Sequence, residues 1–298
     1  MNLFTGPIAC QQDWGKVYQS IPAFTPLAEH ILRKEHLPVV PLGPLSPGTN
    51  AVFRAGEVVL KIFAPPESGF NEPDELQTEI FASRRAEKLG LNAPKLIAEG
   101  IIEDKYNFAY MIMEYVPGVE FYEAIKAMTW AEKIAIAQKL RAATDKMNTP
   151  CEAFNTIDAI HDRSRWTRWE KFPERLQQER AAWIAAHAFG EFVFCHGDLC
   201  GDNIIISPRG EITIIDFADA LLAPLSYEHA LVAADFEYDP ALMRGYFGDE
   251  PPEKLAERCF EGTLIHDFGG DYIKPPEEIG CLEALRRRLY QKIEGAFA

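Results

Sequence analysis

The sequence predicts an α+β protein, and three observations carry that expectation. Between Ala51 and Val116, short apolar runs rich in Val, Ile and Phe alternate with turn residues, as strands do. Beyond Glu120 the apolar residues return at helical spacing, for example Ile134, Ala137 and Leu140. Inside this helical half lies one interruption, Phe192 to Asp219, where two Ile-rich runs flank a Ser-Pro-Arg-Gly turn. Strands first and helices after are the pattern of an α+β fold.

With 298 residues the chain is long enough for one large domain or two lobes. Its 47% hydrophobic and 25% charged content are ordinary globular values. No apolar run reaches the roughly 18 residues that span a bilayer, so no membrane partner is expected. Met1 to Pro7 lacks the basic start and long apolar core of a secretory signal. The six cysteines, Cys10, Cys151, Cys195, Cys200, Cys259 and Cys281, show no paired metal-ligand spacing and read as reduced thiols of a cytoplasmic protein. A formal net charge of −15 argues against a nucleic-acid partner and is compatible with a cationic substrate.

In chain order, Pro26 to His36 reads as a helix with Leu27, Ile31 and Leu32 on one face. Pro41, Gly43, Pro44, Pro47 and Gly48 forbid helix beyond it. Two strands follow, Ala51–Arg54 and Val58–Phe63, turning at Ala55-Gly56-Glu57. The preceding turn, Gly48-Thr49-Asn50, can lay backbone N–H groups against phosphate oxygens, although such turns are common in plain hairpins. Lys61 sits mid-strand among Val, Leu, Ile and Phe, where an unpaired ammonium is costly to bury. It is therefore either at an edge with its head in water, or paired with an anion.

Asp74 starts a helix running to about Leu89, with Gly90 as its stop. Glu72, Glu75, Glu79 and Glu87 are the candidate partners of Lys61, and Glu79, beside Ile80 and Phe81, is preferred. A second strand pair spans Pro94–Ile102 and Phe108–Val116, stopped by Pro117-Gly118. At its end the backbone N–H and C=O of Glu114 and Val116 can pair with a purine edge, flanked by Met113 and Tyr115. Thr129 caps a helix to Met147, and a helical stretch rich in Arg, Glu and Trp extends from Arg163 to Ala188. Further helices run from Tyr227 to Phe236 and from Cys281 to Phe297, the last carrying Arg286-Arg287-Arg288 in its latter half as solvated charge.

The interrupting stretch carries the chemistry. His196, Asp198 and Asn203 stand beside its first apolar run, and Asp216 follows the second. A buried hairpin accounts for the Ile residues, but not for a Gly-Asp-x-x-x-x-Asn crossing beside them. Phosphoryl transfer needs that spacing: an Asp to orient the attacking hydroxyl, and an Asn and a later Asp to hold Mg2+.

These residues together resemble the protein-kinase-like fold, and more closely the aminoglycoside phosphotransferase and choline kinase family. The resemblance rests on His196-Gly197-Asp198 through Asn203, Ile215-Asp216-Phe217, Lys61, and Glu79 with Pro94, and covers roughly residues 45 to 235. It implies a two-lobed fold. A five-stranded antiparallel N-terminal lobe would span 1–115, with 1–37 as a helical extension, and a mainly helical catalytic lobe 116–298. It also implies that Lys61, held by Glu79, bridges the phosphates of ATP or GTP, and that Asp198 is the catalytic residue. Asn203 and Asp216 would coordinate Mg2+, and His196 would be architectural. The implied partners are a nucleotide and a small hydroxyl-bearing acceptor, in a monomer or weak homodimer. Gly197 stands where many protein kinases carry Arg, and no Ala-Pro-Glu closes an activation segment, which points away from protein acceptors. The acidic residues Glu228, Asp235, Glu237, Asp239, Asp267 and Asp271 make a cationic acceptor the expectation, and Asp202 and Asp219 remain unassigned.

Overall fold

A computed structural model describes residues 2–46, 48–70 and 74–298, so Pro47 and the candidate partner Glu72 lie outside the described residues. The chain divides into two compact units: Met1–Glu87 with Ala93–Pro117, and Lys88–Asn92 with Gly118–Ala298.

The first unit begins with two helices, α1 (Gln11–Val17) and α2 (Ile21–Lys34). Helix α2 starts earlier than Pro26 because the Ser20 hydroxyl accepts from the Ala23 N–H and Pro22 suits a first turn. Strands β1 (Leu42–Pro44), β2 (Ala51–Ala55), β3 (Val58–Ile62), β4 (Leu96–Glu103) and β5 (Asn107–Glu114) form an antiparallel sheet in the order β1-β2-β3-β5-β4, with α3 (Glu75–Leu89) between β3 and β4. Strand β1 lies in the Gly- and Pro-rich stretch, and Pro44 is tolerated there because an edge strand spares one N–H.

Strand alternation gives the sheet two different faces. Leu60, Ile62, Tyr110 and Ile112 join Phe4, Trp14, Phe24, Leu27 and Ile31 in one apolar core, so the N-terminal helices complete this unit's interior. Lys61, Phe63 and Met111 point the other way, and Ile80 of α3 packs on Phe63 and Met111.

The second unit contains β6 (Val119–Glu120), α4 (Phe121–Ile125), α5 (Trp130–Met147), α6 (Glu174–Ala186), β7 (Phe192–Cys195), β8 (Ile204–Ile206), β9 (Ile212–Ile214), β10 (Leu221–Pro224), α7 (Ser226–Asp235), α8 (Pro240–Phe247), α9 (Pro252–Ile265) and α10 (Leu282–Phe297). Thr129 and Glu132 close a full capping box on α5. The Ile-rich runs are β8 and β9, which form a hairpin with β6 alongside, while β7 pairs with β10. The segment Lys88–Asn92 groups with this unit through Asn92. Its amide donates to the Ile212 carbonyl (2.7 Å) and the Thr213 hydroxyl (2.8 Å), and its carbonyl accepts from the Ile214 N–H (3.0 Å).

Two expectations are corrected here. The Arg163–Ala188 stretch is a 3-10 turn, Arg163–Trp169, and then α6, because Pro173 separates them. Its aromatic residues serve packing: Trp166 and Trp169 sandwich the Arg180 guanidinium at 4.4 Å each, and Trp183 stacks on His187 at 4.0 Å. The triple arginine falls in the first half of α10, and it is ion-paired. Arg286 reaches Glu257 (2.9 Å), Arg288 reaches Glu278 (2.9 Å), and Arg287 approaches Glu283 (3.7 Å). Among the described residues no helix is long and apolar enough to cross a membrane.

Candidate active site

Within the first unit, the ammonium of Lys61 is buried and ion-paired with Glu79, itself buried (4% and 2% exposed). The pairing follows from geometry. Lys61 points off the core face of β3, and Glu79 lies on the α3 surface that covers that side. Glu75, one helical turn before Glu79 on the same α3 face, accepts from the buried Asn50 amide (2.6 Å). The other end of that amide accepts from the Ala64 N–H (3.0 Å). In the Gly48-Thr49-Asn50 turn, then, the Asn50 side chain is committed to holding β2 against α3, and the Thr49 carbonyl accepts from the Trp14 indole (2.8 Å). Gly48 and Thr49 are exposed, and what this turn can offer a phosphate is backbone N–H.

At the end of β5 the Glu114 N–H is engaged by the Lys95 carbonyl (3.0 Å). With that N–H engaged, the backbone group that Glu114 could offer a purine is its carbonyl. Tyr115 is bracketed by its N–H bond to the Glu57 carbonyl (3.0 Å) and by the Arg54 guanidinium, 3.7 Å from its ring centroid.

Within the second unit the structure brings Asp198, Asn203 and Asp216 to one end of the β8–β9 hairpin. Ile204 pairs with Ile214, so Asn203 and Ile215 are the next pair along, and the Asn203 carbonyl accepts from the Ile215 N–H (3.0 Å). Asp216 is the following residue, exposed and in the left-handed region at φ 59°, a conformation that costs a non-glycine residue free energy and collects at functional sites. The Asn203 amide N–H group donates to the carbonyl (2.8 Å) and carboxylate (3.0 Å) of Asp198. Both partners are acceptors, so the amide orientation is fixed and its oxygen is the end available to a cation.

The loop itself is held from below. His196 is fully buried, accepts at Nδ1 from the Asp198 N–H (3.3 Å), donates at Nε2 to the Ile215 carbonyl (2.9 Å) and packs on Phe217. Gly197 has φ 84°, and a Cβ there would lie 2.0 Å from the Asp219 carbonyl oxygen. Glycine is required where the chain beyond Asp216 crosses this loop, which accounts for the residue that departs from the protein-kinase pattern. Under the crossing, Glu228 of α7 is fully buried and accepts from the N–H groups of His196 (3.1 Å) and Gly197 (3.3 Å) and from the Asn148 amide (3.3 Å).

Burial sets the electrostatics. It pushes the half-buried Asp198 carboxyl above the ordinary Asp range; the Asp216 charge adds to this, while His196 and the Asn203 amide oppose it. The Cys200 thiol is pushed up to about 12 by burial and then by Asp198 and Asp235. Glu228 is likewise raised by burial, against its hydrogen bonds.

Sequence reasoning missed the Glu228 anchor, because a Glu near the start of a helix reads as surface charge. The same blindness affects the acidic set as a whole. Asp235 accepts from Tyr122 and Gly201, Asp239 caps α8 and pairs with Lys133 (2.7 Å), Asp267 pairs with Arg165, and Asp271 pairs with Arg168 and Lys171. Five of these six residues are therefore spent on holding the fold, leaving Glu237 as the exposed member. Asp202 and Asp219 are exposed beside the loop.

Asn203 and Asp216 suit Mg2+, which binds through one or two protein oxygens and otherwise through water and substrate phosphates. Among the described residues no group of three His, Cys, Asp or Glu residues that could hold a metal ion is found.

A five-stranded antiparallel sheet with a buried Lys–Glu pair, joined in sequence to a helical unit with an Asp–Asn–Asp loop, defines a phosphotransferase of the protein-kinase-like class. The chain belongs to the phosphotransferase enzyme family, whose family model matches residues 44–257. It is 27% identical over 210 residues to an aminoglycoside 3'-phosphotransferase of Streptomyces fradiae, covering 65% of this chain and 75% of that one. Among solved structures, the GDP and kanamycin complex of APH(2")-IIia shares the fold, with a TM-score of 0.60 at 18% identity over 91% of this chain and 95% of that one. So does a choline kinase from Streptococcus pneumoniae, with a TM-score of 0.56 at 15% identity over 90% and 99%. The protein is thus a phosphotransferase, and its fold is shared with aminoglycoside phosphotransferases and choline kinases.

Proposed function

We propose that this enzyme moves the γ-phosphate of ATP or GTP, with Mg2+, to a hydroxyl of a small cationic molecule such as an aminoglycoside. The observation that carries the reading is the Asp198–Asn203 pairing. The hydrogen bonds from Asn203 hold the Asp198 carboxylate at a fixed point and leave the amide oxygen as the end that could meet a cation. In this reading Asp198 orients the acceptor hydroxyl and takes its proton as the bond to phosphorus forms. Asn203 and Asp216 hold Mg2+, which when bound offsets charge on the transferred group. Lys61, held in place by Glu79, binds the nucleotide phosphates, with backbone N–H groups at Gly48, Thr49 and Asn50 beside them. The Glu114 carbonyl and the Val116 backbone receive the purine.

Support for a cationic acceptor comes from the aminoglycoside 3'-phosphotransferases among the relatives and from the exposed carboxylates of Asp202 and Asp219. A metabolite kinase of the choline, homoserine or sugar type is the second reading. The structural commitment of five acidic residues favours it, since an acceptor with one positive charge needs fewer carboxylates than a polycation. Incubation with labelled ATP and GTP, Mg2+ and a panel of aminoglycosides, choline, homoserine and sugars tests both. Transfer to an aminoglycoside supports the first reading, transfer to a metabolite alone supports the second, and transfer to none contradicts both.

A further inference from the structure

We propose that Tyr122 and Asp235 form a latch that positions the loop between Asp198 and Asn203, and that protonation of Asp235 releases it. The proposal rests on the phosphotransfer reading above for its effect on rate, and on geometry for the latch itself.

Gly201 lies midway between Asp198 and Asn203. Its N–H donates to Asp235 Oδ2 (3.1 Å), while the other carboxylate oxygen, Oδ1, accepts from the Tyr122 hydroxyl. A Cβ on Gly201 would sit 2.8 Å from three ring atoms of Tyr122, so the ring lies directly against the Gly201 backbone. One carboxylate and one ring, from α7 and α4, therefore seat a single peptide of the loop. On α7, Asp235 is seven residues, about two turns, beyond Glu228 and so on the same side of the helix. Helix α7 thus grips the loop twice: Glu228 takes the N–H groups of His196 and Gly197 before Asp198, and Asp235 takes that of Gly201 after it. Neither grip can replace the other, because each holds a different side of Asp198.

The second grip is held by a carboxyl that burial brings near neutrality. Asp235 is faced by Tyr122 from α4, by Asp198, Cys200 and Asp202 from the loop, and by Tyr272 from the 3-10 turn Gly269–Tyr272. None of these is a cation. Burial raises the Asp235 carboxyl to about 7, with Asp202 and Asp198 adding to the rise and the bonds from Tyr122 and Gly201 opposing it. A protonated carboxyl loses the charge that strengthens both bonds, so the Gly201 N–H is left with at best a neutral acceptor and its peptide is held more loosely. Asp235 touches neither phosphate nor acceptor in this scheme, and is a positioning residue.

The Gly201 amide resonance reads the latch directly in the full-length protein, without nucleotide or acceptor. Its shift is expected to titrate with a midpoint near 7. In Tyr122→Phe the midpoint moves up, because a bond that favours the charged form is gone, and in Asp235→Asn the titration disappears. At saturating Mg2+ and nucleotide, Asp235→Asn is expected to lower kcat about tenfold, the loss of one charge-assisted bond, with the nucleotide KM unchanged. A Gly201 amide that does not titrate, or a midpoint unmoved by Tyr122→Phe, overturns the latch. Absence of phosphate transfer by the wild-type enzyme, with the amide titration intact, overturns the phosphotransfer reading and leaves the latch standing.

Discussion

Removing Glu79 takes away the carboxylate that neutralises Lys61 where that ammonium is 4% exposed. Breaking a buried ion pair from one side costs about 3–5 kcal/mol, because a charge loses its hydrogen-bonded counter-ion. That is a large part of the roughly 5–15 kcal/mol that stabilises a typical domain. Replacing both partners by apolar side chains of similar volume, Lys61→Met with Glu79→Leu, is often neutral or stabilising by about 1–4 kcal/mol. Urea unfolding of the four-member cycle should therefore show Glu79→Leu strongly destabilised and the double variant restored to near wild type. Phosphate transfer should be lost in both, since Glu79→Leu leaves Lys61 without the carboxylate that positions it and the double variant lacks the cation proposed to bind phosphate. If Glu79→Leu costs under about 1 kcal/mol, the pair behaves as a surface ion pair and the burial argument fails. If the double variant transfers phosphate at the wild-type rate, Lys61 has no role with nucleotide.

Three further substitutions probe the loop. Asp216→Ala should weaken Mg2+-dependent nucleotide binding as well as turnover, seen as a loss of the Mg2+-dependent part of a nucleotide thermal shift. Gly197→Ala forces a Cβ against the Asp219 carbonyl at φ 84°. It should cost about 1–3 kcal/mol in unfolding free energy and lower kcat; a silent substitution would contradict the crossing. Glu228→Gln keeps one acceptor oxygen and brings an NH2, with one hydrogen more than a protonated carboxyl, against the backbone N–H groups, so it should cost about 1–3 kcal/mol below the ordinary Glu range. The pH dependence has a definite sign. The folded protein holds the Glu228 proton more firmly than the unfolded chain, so wild-type stability from this group is full below the ordinary Glu range and is lost as pH rises through the raised folded value. The stability difference between wild type and Glu228→Gln should accordingly shrink as pH rises, and a widening difference would refute the assignment.

Much of the fold is legible in the sequence because its signals are local. The strand runs around Lys61 and before Pro117-Gly118, the Thr129 cap and the Ile-rich hairpin each announce themselves through composition over a few residues. The Lys61–Glu79 pairing is legible for an energetic reason, since an ammonium among Val, Leu, Ile and Phe needs a carboxylate. Strands β1 and β10 are not legible, as each is fixed by a partner, β2 and β7, rather than by its own residues. Nor are the roles of Glu228 and Asp235. A carboxylate that receives loop N–H groups and one that faces water are the same letter in a helix, and only tertiary burial separates them. For the same reason the acidic set after Asp216 reads as a cation-binding face, although ion pairs, a cap and hydrogen bonds to the loop occupy most of it.

The most direct test of the central claim compares wild type with Asp198→Ala in the same reaction, labelled ATP with Mg2+ and an acceptor. The account predicts that the variant binds nucleotide nearly as wild type does, while transfer to the acceptor hydroxyl collapses. Near-normal transfer by Asp198→Ala would contradict it.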